Sequence, residues 1–193
     1  MSYAIAAYLW KRNFKNDRWH AILLFTVSTI QFLEAIVWYM HKHDSDKSEI
    51  TKLVIALLIP LVLALEPVSS LYGASYVGKN VTNYDKILYL IAFVIIFVML
   101  MKKNSFPDIF IGNSIQYQKN GSNNTIYYWI FYFLLIYPFI KYNKIDVFYL
   151  FIGGIVAFAL WYALSKKSPG SYWCLYGNCI AIIFLFYPYI ISI

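Results

Sequence analysis

Two carboxylates within long apolar stretches are the residues of this chain best suited to do chemistry. Glu34 lies within the apolar run of residues 19–40, and Glu66 lies within the run of residues 53–76. As helices rising 1.5 Å per residue, runs of about twenty residues match a hydrocarbon core ~30 Å thick. An ionisable group inside such a helix costs roughly 2.5–3.5 kcal/mol to insert, so it faces the protein interior or a wet cavity. The sequence therefore predicts two interior groups able to bind a proton or a cation.

Two amides could connect these carboxylates. Gln31 lies one helical turn before Glu34, and Asn178 lies within the last apolar run. Counted along the helices, Glu34, Gln31 and Asn178 share a layer, whereas Glu66 lies ~10 Å deeper and cannot bond to Glu34 directly. Because burial disfavours the charged form of a carboxylate, we expect a polar path that carries protons or cations. The alternative is that each carboxyl is neutral, hydrogen-bonded and serves only to lock helix packing.

The elements that position these residues are a set of apolar helices. Of the 193 residues, 61% are hydrophobic and 13% are charged, and the charged fraction is about half that of a soluble domain. We predict one all-α integral membrane domain over residues 1–193, with about seven membrane segments. The predicted segments are residues 1–10, 19–40, 53–76, 87–101, 126–140, 147–164 and 173–191. The first reaches only ~15 Å, about half a bilayer.

The longest predicted loop outside the membrane covers residues 102–125. Its residues 107–117 could form a small hairpin around Gly112 and Asn113, because such a pair favours a tight turn. The same loop contains two Asn-x-Ser/Thr patterns, at Asn120 and Asn123.

The orientation is weakly determined by charge. The sixteen Lys and Arg residues divide equally between odd-numbered and even-numbered loops. The first loop is the most basic and usually dominates, so we expect it inside and the loop of residues 102–125 outside.

Charge and residue types argue against several other classes of protein. The net charge of +7 comes from basic residues in short loops beside apolar segments, where they anchor helix ends, so we expect no nucleic-acid partner. The last segment has no lysine for a Schiff base, and His20 alone among the histidines lies near a segment. No Ser/His/Asp set and no cluster with metal-ligand spacing is visible in the segments. We expect no enzyme, no cofactor and no metal site.

Residues 16–19 (NDRW) and 31–38 (QFLEAIVW) resemble an uncharacterised family of polytopic proteins of large DNA viruses, algae and other protists. Those proteins combine an Asp-Arg helix entry, a Gln-x-x-Glu-x-x-x-Trp helix, a proline-bearing third helix and a Ser-x-Trp-Cys start to the last helix. Here Pro67 matches the third feature and residues 171–174 match the fourth. The chain departs at its short first segment and at Glu66, where the pattern has Gln. The resemblance implies a bundle of about seven helices and a viral or protist source, but no mechanism.

Two functions follow as expectations. The first is a small proton or cation channel or transporter working through Glu34 and Glu66. The second is a non-catalytic structural or assembly protein, such as a scaffold of a viral or organelle membrane. In both cases the protein is a multi-pass membrane protein whose partners are the lipid bilayer and further copies or other membrane proteins. Whether the membrane belongs to a cell, an organelle or a virion is not determined by the sequence.

Overall fold

A computed structural model describes residues 1–42, 49–103, 110–111, 114–115, 125–164 and 169–191. In chain order the helices are α1 (Ser2–Arg12), α2 (Asp17–Lys42), α3 (Glu49–Leu53), a π-helical turn (Val54–Leu58), α4 (Ile59–Tyr76), α5 (Asn83–Lys103), α6 (Thr125–Tyr142), α7 (Lys144–Leu164) and α8 (Pro169–Ile191). The expected all-α class is confirmed.

The loop between α5 and α6 contains two very short strands. These are β1 (Phe110–Ile111) and β2 (Ser114–Ile115), which pair antiparallel with Phe110 opposite Ile115. This is the pairing expected of the predicted hairpin. Its turn residues Gly112 and Asn113, and the patterns at Asn120 and Asn123, lie outside the described residues.

Among the residues that the structure describes, three helical stretches are long and apolar enough to cross a membrane. They are Asp17–Met40, Val54–Tyr76 and Asn83–Met101. Shorter apolar stretches within α6, α7 and α8 cover Ile130–Tyr142, Asp146–Ala157 and Leu175–Tyr189. Length and composition therefore support a membrane crossing for three of the seven predicted segments.

The core is organised around α2, which packs against α1, α4 and α8, while α6 and α7 complete the bundle and α5 packs outside α4. α2 and α4 run antiparallel in close contact. A Cβ atom on Gly73 would lie 2.4 Å from Cδ1 of Trp19, a distance that no side chain tolerates, so glycine is required for this approach. Trp19 is fully buried and stacks on Phe139 of α6, with ring centroids 4.3 Å apart.

Prolines interrupt the hydrogen-bond ladders of three helices. Pro67, Pro138 and Pro188 lie inside α4, α6 and α8, and each leaves the carbonyl four residues earlier without its helical donor. In α6, Tyr89 donates to the carbonyl of Leu134 at 2.5 Å. Ser70 donates to the neighbouring carbonyl of Leu135 at 2.8 Å. The Tyr89 side chain of α5 thus replaces the donor that Pro138 lacks, which matters most where lipid excludes water.

Candidate functional site

The predicted carboxylates differ in their surroundings. The side chain of Glu66 is fully buried, with 0% of its surface exposed, on the face of α4 that also carries Ser70 and Gly73. Glu34 is half-buried on α2. Since Trp19 lies beside Gly73 in antiparallel helices, Glu66 lies ~12 Å from Glu34 along the bundle axis. That the two carboxylates do not bond directly stays a prediction.

The two predicted amides lie on neighbouring helices. Gln31 and Asn178 are half-buried. The Nε2 atom of Gln31 lies 3.3 Å from the position that a Cβ on Gly177 would occupy, which places Gln31 against α8 beside Asn178. The Oδ1 atom of Asn178 accepts a hydrogen bond of 2.6 Å from Ser2 of α1. A small polar layer therefore joins α1, α2 and α8 near the middle of the bundle.

A second buried polar cluster lies at the end of the bundle where α2 and α7 begin. Nε2 of His20 lies 2.6 Å from Oδ2 of Asp146, and the hydroxyl of Tyr187 donates to Oδ1 of Asp146 at 2.5 Å. His20 and Asp146 are both 0% exposed. Asp146 lies in the first turn of α7, where the free N–H groups of the helix stabilise a negative charge. The carboxylate is therefore held by two helices and its own helix start.

The histidine ring is packed between aromatic side chains. It stacks on Phe184 with centroids 3.8 Å apart and planes 6° apart, and it meets the ring of Tyr187 edge-on at 5.3 Å. The other ring nitrogen, Nδ1, is buried and has no hydrogen-bond partner among the described residues. His20 therefore contacts and orients the Asp146 carboxyl through Nε2.

An arginine clamp adjoins this cluster. Arg12 donates to both carboxylate oxygens of Asp17, from Nε at 2.6 Å and from Nη2 at 2.8 Å. Its remaining donors reach α8, with Nη2 3.0 Å from the carbonyl oxygen of Phe184 and Nη1 2.7 Å from that of Leu185. The carbonyl of Phe184 is the one that Pro188 leaves without a helical donor. Arg12 therefore supplies the donor that the Phe184 carbonyl of α8 lacks, and its hydrogen bonds connect α8 to α1 and α2.

The third acid at this end is also paired. Asp85, 1% exposed, accepts from Nζ of Lys141 at 2.7 Å and from the hydroxyl of Tyr142 at 2.7 Å. Thr82 donates to the same carboxylate at 2.7 Å through its hydroxyl. Because Asp85 begins α5 and Lys141 ends α6, the cluster fixes the ends of two helices.

An apolar layer separates the end cluster from the central polar layer. It encloses a cavity of about 20 Å³, large enough for one water molecule but without the polar partners that would hold it. The lining comes from α2, α6, α7 and α8 and includes Leu24, Phe139 and Ile180. Between His20 and Gln31, the side chains around this cavity are therefore mainly apolar.

The sequence reasoning missed the pairing of His20 with Asp146 and Tyr187. A signal was present, since His20 lies at the start of the predicted segment 19–40, Asp146 directly precedes the predicted segment 147–164, and both segments are predicted to enter the membrane from the same side. The depth of Glu66 and the closeness of Gln31 to Asn178 were anticipated by counting residues along helices.

Comparison of the chain with protein-family models, curated proteins and solved structures found no match. The site must therefore be interpreted from its own chemistry.

Proposed function

We propose that the protein is a multi-pass membrane protein that moves protons or small cations across a bilayer, with Glu66 as the central carrier group. The observation that carries the proposal is the complete burial of Glu66 within a helix long and apolar enough to span a membrane. An ionisable side chain in that position is costly, and its best-attested uses are proton relays and ion pathways.

We include α6, α7 and α8 among the crossing segments and α1 as a short one, which makes seven. Helices of 18, 21 and 23 residues extend ~27–35 Å, which supports this number. The outer surface of α5, of which only 11% of the apolar window is buried, is proposed to face lipid, a second copy or another membrane protein.

In the proposed mechanism, Glu66 exchanges protons or cations with Glu34 and Gln31 on one side of the membrane. On the other side it exchanges them with His20 and Asp146. The acid–base work is done by carboxyl and imidazole groups at three depths, and no resident cofactor or enzymatic step is invoked. The apolar layer around Phe139 keeps the two sides apart, as hydrophobic constrictions do in closed pathways. Transport then requires a conformational change that wets this layer.

The alternative function is a non-catalytic structural or assembly protein of a viral or organelle membrane. The small, apolar cavity favours it, because a filled interior with paired charges is also what a rigid scaffold needs. Under this alternative, Glu66 locks helix packing and carries no ion.

Proton flux into liposomes separates the two functions. Purified protein is reconstituted with a pH-sensitive dye inside, and valinomycin with potassium clamps the voltage. The transport proposal expects flux above that of empty liposomes, abolished by Glu66→Gln and reduced at least tenfold by Glu34→Gln, with size-exclusion profiles unchanged. Glu49→Gln is the matched control, because Glu49 is an exposed carboxylate outside the apolar runs, and it should leave flux intact. Wild-type liposomes no leakier to protons than empty ones, and equally tight to sodium and potassium when these ions are assayed without valinomycin, would reject transport in favour of the scaffold.

A further inference from the structure

Aromatic side chains form an exposed edge where α1 meets α4. The rings of Trp10 and Tyr76 lie 5.3 Å apart, and Tyr72 continues the row, with its ring 6.2 Å from that of Tyr76. All three side chains are more than two-fifths exposed. Exposed Trp and Tyr beside the end of a membrane helix are typical of the headgroup level, where an apolar ring with a polar tip is best solvated.

Arg18 belongs to this edge and forms no ion pair with an acid among the described residues. The central carbon of its guanidinium lies 5.5 Å from the centre of the Trp10 ring, and its Nε atom is buried without a hydrogen bond among the described residues. The nearest acid in sequence, Asp17, is occupied by both donors of Arg12 and by the backbone N–H of Phe14. The guanidinium of Arg18 thus lies against an aromatic ring and has no anionic partner among the described residues.

The surrounding face of the bundle also has more cations than acids available to pair with them. Its acids Asp17, Asp85 and Asp146 are at most 1% exposed and are paired inside the protein. Among the described residues, six cations of this face make no ion pair, namely Lys11, Lys15, Arg18, Lys79, Lys86 and Lys144. A face that buries the three aspartates described there and leaves these cations unpaired attracts negative charge at the membrane surface.

We propose that the edge formed by Trp10, Arg18 and Tyr76 binds the headgroup of an anionic phospholipid. The guanidinium fork donates to the phosphate oxygens, while the two aromatic rings pack against the glycerol backbone and upper acyl chain. The charge of the face selects net-negative headgroups over zwitterionic ones. This inference is independent of the proposed transport activity.

Lipid titration followed by native mass spectrometry tests the site. The full chain in detergent is titrated with phosphatidylglycerol and, separately, with phosphatidylcholine, and the bound lipid is counted. We expect one phosphatidylglycerol to bind preferentially. Arg18→Gln should lower its association constant about fivefold, the effect of one basic residue at an anionic surface. Trp10→Leu, at an exposed position, should weaken binding by about two- to fivefold without affecting folding.

Lys144→Gln is the matched control, since it removes the same charge from the same face, and among the described residues the Lys144 ammonium forms no cation–π contact. It should change the association constant by less than about twofold. Equal binding of the two lipids, an unchanged constant for both Arg18→Gln and Trp10→Leu, or an equal loss in Lys144→Gln would each overturn the proposed site.

Discussion

At the scale of single residues, the charged groups are arranged so that each of the three buried aspartates has a specific donor. Asp17 has Arg12, Asp85 has Lys141, and Asp146 has His20 and Tyr187. Burying a lone carboxylate costs several kcal/mol, and a well-oriented partner offsets that cost only while both members are present. Removing one member is therefore the sharpest test of each cluster.

His20→Phe is expected to lower the free energy of unfolding by about 3–5 kcal/mol, because the buried Asp146 loses a donor while the ring still fills the place beside Phe184. Denaturation of the protein in mixed micelles, followed by circular dichroism, measures the change. Glu49→Gln, at an exposed ion pair with Lys52, should produce little measurable change.

The double variant His20→Phe with Asp146→Leu provides the internal check. With neither polar group left in the apolar surroundings, most of the lost stability should return. If the double variant is less stable than His20→Phe alone, the pairing of these two residues is not the source of the effect.

At the scale of elements, the prolines explain why particular side chains cross between helices. Each of Pro138 and Pro188 frees a carbonyl that water would satisfy in a soluble protein. In the bundle, Tyr89 and Arg12 from other helices supply the missing donors. The interruptions of α6 and α8 thus specify which helices must be their neighbours.

Tyr89→Phe should lower the free energy of unfolding by about 1–3 kcal/mol, because the carbonyl of Leu134 is left buried without a donor. Tyr84→Phe removes the same hydroxyl from an exposed ring of the same helix and should have an effect within about 0.5 kcal/mol. Thermal unfolding in detergent compares the two variants.

Combining Tyr89→Phe with Pro138→Ala restores a backbone N–H for Leu134. The combined variant should be more stable than the sum of the two single changes, which a double-mutant cycle measures. Strict additivity would show that Tyr89 stabilises α6 in some other way.

The helices were predictable from the sequence because long apolar runs have few alternatives in a membrane protein. The start of α5 at Asn83, four residues before the predicted start, could not be predicted from the sequence, because it depends on the cap that Thr82 and Asp85 form together. Contacts between side chains of different helices were harder still to predict. Counting residues along a helix predicts the depth of Glu66. Whether Gln31 faces α8 depends instead on the packing of Gly177 against Val27, which no local pattern encodes.

At the scale of the whole molecule, the two ends of the bundle differ in where their charge lies. The end carrying Arg18 and Lys144 hides its carboxylates, whereas the opposite end exposes Glu49. Anionic lipids are concentrated in the cytoplasmic leaflet of many membranes. We therefore expect the first loop to lie inside, in agreement with its high content of basic residues.

Cysteine labelling tests this orientation. In a chain with Cys174 and Cys179 replaced by alanine, single cysteines are introduced as Glu49→Cys and Asn80→Cys, on either side of the span Val54–Tyr76. In intact cells, a membrane-impermeant maleimide should label Glu49→Cys and should label Asn80→Cys only after permeabilisation. The reverse pattern would invert the orientation, and labelling of both from one side would show that this stretch does not cross.

The π-helical turn before α4 has a consequence for how the chain can change length. The N–H of Ile59 bonds to the carbonyl of Val54, five residues back, so the turn holds one residue more than an α-helix would. Gaining or losing a residue in an ordinary membrane helix rotates one half against the other by about 100°. Here, deletion of one residue from the turn would restore the α-helical repeat and leave the facing of both α3 and α4 unchanged. Glu66 would keep its place, because its register is set by the contacts of α4 with α2 and α6.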